Sequence, residues 1–455
     1  MCRFRVLSLL FALLSICLSV SVSAQFTWSR YYGATLVNDE AFSCIQTLDN
    51  NLLVTGYSGY SPVSSTLVKY SQTGEVLWSK NYESTWYMGV SVAEDPSGNL
   101  YTGFYRGLMK LDPFGNVIWQ RELPDTIYAG HVKLTEDRTK LFRYNSDIIA
   151  LSDTSADNIW TIRLNDTAMV NWNVYDLCQV GSFFYAAGTR SVIGSRRGFV
   201  RKYDMGGNLI LTVQTPQGST ISTLAKNSDY SIIAAGGLDN LYCTMISQSG
   251  TVLWEKSYVQ DSLAFAYSIK RAANNRFVIA TAGYVDKSKC IVIDSSGTVI
   301  VSKDHPYGYL NNAYYQNVIV AKDSGFVFTG YIEFNESGSI DWLVVKTDKN
   351  GNTTPIGIEQ ISNNVPSGFK LYQNFPNPFN PVTKIKFDIP SVSGSQSVKF
   401  SVYDIVGRKV YSTEETKQPG SYEISFDAAG FSSGTYFYTI EYGVFKETRK
   451  MILIK

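Results

Sequence analysis

Residues 71–82 read SQTGEVLWSKNY, and the same arrangement returns at 112–119 as DPFGNVIW and at 247–254 as SQSGTVLW. Each has a polar turn, a glycine and, four positions later, a tryptophan: Gly74 to Trp78, Gly115 to Trp119, Gly250 to Trp254. Asp, Asn or Ser next to Gly between alternating apolar runs is hairpin chemistry, because Gly supplies the positive φ of such turns. Residues 154–160, TSADNIW, put Ala156 at the glycine position before Trp160; Gly207 and Gly297 are followed at the same distance by Leu211 and Val301. Working outward, each unit also has a strand ending in Thr-Gly or Ala-Gly, at Gly56, Gly103, Gly188, Gly236, Gly283 and Gly330. The third unit has Asn145 there, which points to a left-handed turn, since Asn is the next-best residue for one.

From each turn to the next strand end the spacing stays between 29 and 33 residues, whereas from strand end to turn it ranges from 11 to 21. One connection varies and the rest is fixed, which is the signature of a four-stranded antiparallel unit, strands a to d, with an adaptable b–c loop. The seventh unit stops short: four residues after Gly351 comes Pro355, and no d strand follows. Residues 26–32, FTWSRYY, resemble VLWSKNY at 76–82, so the amino end is expected to supply the missing outer strand. The predicted object is an all-β chain: a seven-bladed β-propeller over 25–355, closed by strand 26–32 in the last blade, then an Ig-like β-sandwich. One large aromatic per blade is expected to fill the space between neighbouring sheets.

The chain has 455 residues, 17% of them charged and 14% aromatic, with a net charge of +1. That aromatic payload excludes a disordered chain, and the balanced charge carries no nucleic-acid signature. Residues 1–24 read as an export signal: Arg3 and Arg5, the apolar run from Val6 to Val20, and the small residues Val22-Ser23-Ala24 before Gln25. No other stretch is long and apolar enough to span a bilayer after its removal. Four cysteines then remain, Cys44, Cys178, Cys243 and Cys290, and their wide spacing points to buried thiols rather than a disulfide framework. With only His131 and His305 and no CxxC pair, no metal or cofactor is expected.

The loosely repeated blades resemble secreted bacterial propellers. The Gly-x-x-x-Trp unit also resembles the tryptophan-docking repeat of quinoprotein dehydrogenases, without that family's adjacent cysteines, and more distantly the Asp-box of sialidases. After Pro355 the pattern changes. Residues 356–369 read as a linker, and 370–455 hold six or seven short alternating strands with turns at Gly407, Pro419-Gly420 and Ser433-Gly434. NFPNPFNP (374–381), YDIVGRKV (403–410), PGSYEI, SSGTYFY and the final MILIK closely resemble the type A sorting domain of the type IX secretion system, and the Ig-like domain of flagellar hook-capping proteins. The resemblance implies that Asn377, Pro378, Asn380, Pro381, Gly407 and Arg408 belong to the sorting motif and that the secretion machinery is a partner. It also implies cleavage near the linker and an extracellular or outer-surface destination for a Gram-negative protein.

In a propeller the d–a and b–c connections share a face where ligands bind. Here that face is aromatic-rich, and Trp86, Tyr87, Tyr128, Trp172, Tyr267, Tyr309 and Tyr315 are the candidate ligand contacts, because Tyr and Trp suit wet recognition of glycans or peptides. The Arg190, Arg196 and Arg197 cluster could meet an anion. Acids expected in loops of that face include Asp39, Glu40, Glu83, Asp125, Asp176, Asp261 and Asp304, but no catalytic residue can be singled out, and no GxSxG, HExxH or P-loop motif is present. The leading expectation is a monomeric, non-enzymatic binding propeller for a glycan or protein ligand. The alternatives are a carbohydrate-active enzyme using loop carboxylates and a structural surface scaffold.

Overall fold

The computed structural model describes residues 27–454, except 33–37, 60–63, 83–89, 105–106, 124–129, 165–169, 193–194, 238–239, 259–262, 284–287, 306–310, 335–338, 354–357, 363–364, 381, 392–396, 408 and 429–432. Residues 1–24, read as an export signal, lie outside the described residues. Six sheets are consecutive four-stranded meanders, from Asp39–Gln46, Leu52–Ser58, Ser64–Tyr70 and Val76–Tyr82 in the first blade to Leu263–Ala272, Arg276–Gly283, Lys289–Asp294 and Val299–Asp304 in the sixth. The seventh takes Asn311–Val320, Phe326–Phe334 and Ser339–Lys346 from one end of the repeat region and Trp28–Tyr32 from the other. The closing strand runs antiparallel to its neighbour, Trp28 opposite Lys346 and Tyr32 opposite Trp342. The fold is an all-β propeller of seven blades.

Between every pair of consecutive blades lies one apolar cluster. Leu53 and Leu67 of blade one meet Val92 and Leu100 of blade two, and the series continues round the ring. It ends where Val327, Trp342 and Val344 of blade seven meet Ala41, Val54 and Tyr70 of blade one. No blade buries both faces alone, so closure removes the two apolar faces that an open stack would leave in water.

The structure explains both sequence landmarks. In the c–d turn the first residue accepts two backbone N–H groups. Asp112 Oδ1, for instance, takes those of Phe114 and Asn116 at 2.9 and 2.8 Å, while Asn116 Nδ2 donates to Oδ2 at 2.7 Å. Asp204, Asp294 and Asp348 accept in the same way. The glycine three residues on has φ near +80°, as at Gly74 and Gly115. Each turn glycine also seats the large d-strand residue of the preceding blade: Trp28 lies over Gly74, Trp78 over Gly115, Trp160 over Gly207, Leu211 over Gly250, Trp254 over Gly297 and Val301 over Gly351, with Trp119 against Ala156. Three of the indoles donate to a carbonyl of that turn, Trp28 to Gln72, Trp160 to Met205 and Trp254 to Ser295, at 2.9 to 3.0 Å. The repeat is therefore an interlock between successive blades.

Four residues after the large residue, Tyr82 and Tyr258 donate to the carbonyls of Gly115 and Gly297 at 2.7 Å. In blade six that place is held by His305, whose Nε2 lies 2.9 Å from the Gly351 carbonyl. A buried histidine thus does a tyrosine's work.

The strand-end glycines are a correction to the reading above. Gly56, Gly188, Gly236 and Gly330 are not in the left-handed region. Each faces a bulge in strand a, and an added Cβ would stand far inside 3.0 Å of a backbone carbonyl oxygen, that of Glu40, Asn173, Thr220 or Tyr314. The glycine is required by close approach, not by φ. In blade three, where strand a (His131–Leu134) has no bulge, Asn145 is tolerated and packs on Gly130.

The carboxy-terminal part is a two-sheet sandwich, with strand order Ile358–Ser362, Gly420–Asp427, Val382–Ile389, Lys370–Leu371 in one sheet and Lys409–Thr416, Ser397–Asp404, Gly434–Tyr442, Phe445–Leu453 in the other. One core, including Phe387, Phe400, Phe426, Tyr438 and Met451, fills the space between them. Segment 356–369, expected as a linker, contributes the edge strand Ile358–Ser362, which covers the otherwise open backbone of Gly420–Asp427.

Candidate binding channel

The seven a strands surround a cavity of about 880 Å³ on the propeller axis. The bulges set what faces it. Just after a bulge in five of the a strands comes a polar side chain, Ser43, Asp176, Thr223, Ser268 or Asn317. Several of these stitch one blade to the next. Asp176 accepts from the Leu224 N–H at 2.9 Å and Thr223 from the Ile269 N–H at 3.1 Å. Ser91, at the same place in blade two, accepts from the Val132 N–H at 2.7 Å. The inner wall thus carries polar side chains although the blades are oily.

Ring closure gathers charges here that lie in different repeats. Asp176 is paired with Lys133 and also accepts from Leu177 N (2.9 Å), Thr223 Oγ1 (3.1 Å) and Tyr144 Oη (3.4 Å). Burial pushes its carboxyl upward, but the Lys133 and Lys270 charges and these bonds outweigh that and hold it below the usual range. Burial would lower Lys133, and the Asp176 charge raises it instead. For Lys270 burial wins, and its ammonium is easier to deprotonate than usual, although Asp176 opposes this. The thiols of Cys44 and Cys178 are pushed up by burial to about 12 and about 11, so they carry no charge at neutral pH. All four described cysteines are free.

His131 stacks on Tyr144, ring centroids 5.0 Å apart, and burial drives its imidazole down to about 4. A histidine buried neutral must take up a proton on unfolding at any pH between its folded value and the ordinary 6.5, so its contribution is intact above that window and lost as pH falls through it. Acidification from pH 6.5 to 4 is expected to cost about 2 kcal/mol through this residue, after a discount for its partial solvation. Urea midpoints measured across that window for the wild type and His131→Gln check it: the variant should lose that share of the slope.

Of the aromatic residues expected on the binding face, Tyr267 lines the cavity and is 42% exposed. Trp172 is buried between blades three and four, edge-on to Phe199 at 4.9 Å and covered by the Arg201 guanidinium at 3.7 Å. Tyr315 is fully buried, hydrogen-bonded to His305 and stacked on Phe328 at 4.6 Å. Both are corrections: the a strands run further than the loop reading allowed, and their inward residues become core. Trp86, Tyr87, Tyr128 and Tyr309 lie outside the described residues. Asp176, read as a loop acid, sits on strand Val170–Val180. Glu40, by contrast, is held by Tyr57 at 2.8 Å. Glu83, Asp125 and Asp261 lie outside the described residues. Phe42, Tyr175 and Phe265 join Tyr267 in the wall, as does Arg196 of the arginine cluster. Lys133 and Lys270 were not singled out; the signal was there, a lone charge inside apolar strands, HVKL and LAFAYSIKRA.

In the sandwich, the Asn-Pro cluster clamps the last strand. Asn377 Oδ1 accepts from the Ile452 N–H at 2.9 Å, Phe379 exchanges backbone bonds with Ile452 and Ile454 at 2.9 and 3.0 Å, and its ring is buried. Pro378 and Asn380 are exposed. Gly407 takes φ +81° in the turn after Ser397–Asp404. Pro381 and Arg408 lie outside the described residues. No described helix is long and apolar enough to cross a membrane.

Residues 373–455 match the family described as Secretion system C-terminal sorting domain. No curated protein matches the chain. Among solved structures, a protein of unknown function from Bacteroides caccae is 15% identical, with 56% of this chain and 94% of that one covered and a TM-score of 0.39. The WD40 domain of Neurospora crassa Pan2 is 11% identical, with 70% and 90% covered and a TM-score of 0.47. The clamp around Asn377 and Phe379 therefore lies within a type IX sorting domain, and the chain that carries it is a secreted or cell-surface protein of a Gram-negative bacterium.

Proposed function

We propose that the propeller is a non-enzymatic binding module, delivered outside the cell by its sorting domain, and that it takes a glycan in the axial channel. One observation carries the reading: a channel of about 880 Å³ whose wall combines Tyr175, Tyr267, Phe42 and Phe265 with a polar interior. Pockets of this size suit small ligands, and aromatic faces with polar neighbours suit sugar rings. The carboxylates that line the channel are already engaged: Asp176 as described, Glu94 by the Leu48 N–H at 2.8 Å, and Glu136 by Lys226. That favours binding over glycoside hydrolysis, which needs one acid and one base free to act.

A glycan array probed with the full chain should show binding that Tyr267→Ala weakens about tenfold, the loss of one stacked aromatic. A blank array, or binding indifferent to Tyr267→Ala and Tyr175→Ala, counts against the reading.

A further inference from the structure

The charges of the channel do not balance. Four cationic side chains line it, Lys133, Arg138, Arg196 and Lys270, against three carboxylates, Glu94, Glu136 and Asp176. Lys133 is committed to Asp176 and to the Leu177 carbonyl at 2.7 Å. Asp176 in turn receives five donors, so it has no capacity left for a second ammonium. Lys270 makes no hydrogen bond or ion pair among the described residues, yet its side chain is in the wall. A cation in a confined space without a hydrogen-bonded acceptor is costly even with the Asp176 charge nearby to offset part of the cost, and a bound anion lowers that cost further.

We propose that the channel ligand carries a single carboxylate that docks on Lys270. The proposal rests on the glycan reading and narrows it to acidic sugars. Lys270 offers one ammonium with no hydrogen-bonded partner among the described residues, which matches a single carboxylate group. A bare inorganic ion would fill little of about 880 Å³, so the anion belongs to a larger molecule. The aromatic residues of the same wall supply a surface for the ring that bears it. Burial lowers the basicity of Lys270, and a docked carboxylate would favour its charged form again.

Calorimetric titration with glucuronate and with glucose tests this on the full chain. Glucuronate is expected to bind at least about tenfold tighter than glucose, the usual worth of a charge-assisted hydrogen bond. Lys270→Met should erase that preference, and Lys270→Arg should keep most of it. Thermal melts of both variants confirm the fold, and removing a buried cation that has no hydrogen-bonded acceptor should leave the Lys270→Met midpoint unchanged or raised. Equal affinity for the two sugars, absent glucuronate binding, or a preference that survives Lys270→Met overturns the proposal. If neutral glycans still bind the array through Tyr267, the glycan reading stands while the acidic inference falls. Glucuronate binding through Lys270 that ignores Tyr267→Ala supports the anion site and removes the aromatic one.

Discussion

Replacing Gly188 with alanine is expected to destabilise the propeller by more than about 3 kcal/mol, a severe effect for one methyl group. The new Cβ would be driven into the Asn173 carbonyl oxygen and then into the backbone of Val174. These are main-chain atoms inside a strand pair, so nothing flexible can yield; either the bulge flattens or the strands part. Flattening would also withdraw Asp176, two residues on, from Lys133 and from the Leu224 N–H. Gly181→Ala is the control. It has open space around it and a φ of +59°, so it should cost only about 1 kcal/mol of backbone strain. Urea midpoints of the two variants should therefore separate widely. Equal midpoints would show that the strand-end glycine is not held by close approach.

Trp28→Ala is expected to cost about 3–5 kcal/mol, the range for emptying a buried aromatic site. Trp28 is 6% exposed, sits against Tyr70 with centroids 5.9 Å apart, covers Gly74 and donates to the Gln72 carbonyl. Because it belongs to the closing strand, its loss loosens the joint where sheet pairing joins the two ends of the propeller. Chemical denaturation should show the lower stability, and limited proteolysis should cut the seventh blade first. Trp78→Ala empties an equivalent seat within consecutive blades, so it should lower stability without that selectivity. A first cut elsewhere would mean that closure is not the weak joint.

Much of the ring was legible because its grammar is local. A turn glycine and a residue four positions later define one hairpin, and the near-constant spacing counts the blades. The reason for the strand-end glycine was not legible, since the bulge it accommodates lies on another strand about fifteen residues earlier, as Asn173 does from Gly188. His305 looked like an isolated histidine because its partner, the Gly351 carbonyl, belongs to the next repeat. Lys133, Asp176 and Lys270 stand tens of residues apart, and only the closed circle brings them together. Trp172 and Tyr315 misled for the opposite reason: composition marked them as good contact residues, but burial depends on which way a long inner strand turns them.

Closure also imposes a timetable. Trp28 and its partner Lys346 are separated by roughly 320 residues, so the closing strand waits for its partner until the seventh blade is made. At ~5–20 residues per second, that wait is roughly 15–60 s. For that interval WSRYY is an unclaimed aromatic strand, and contacts of such range form slowly. A cell that sends this chain abroad has a long window in which to move it before the knot is tied.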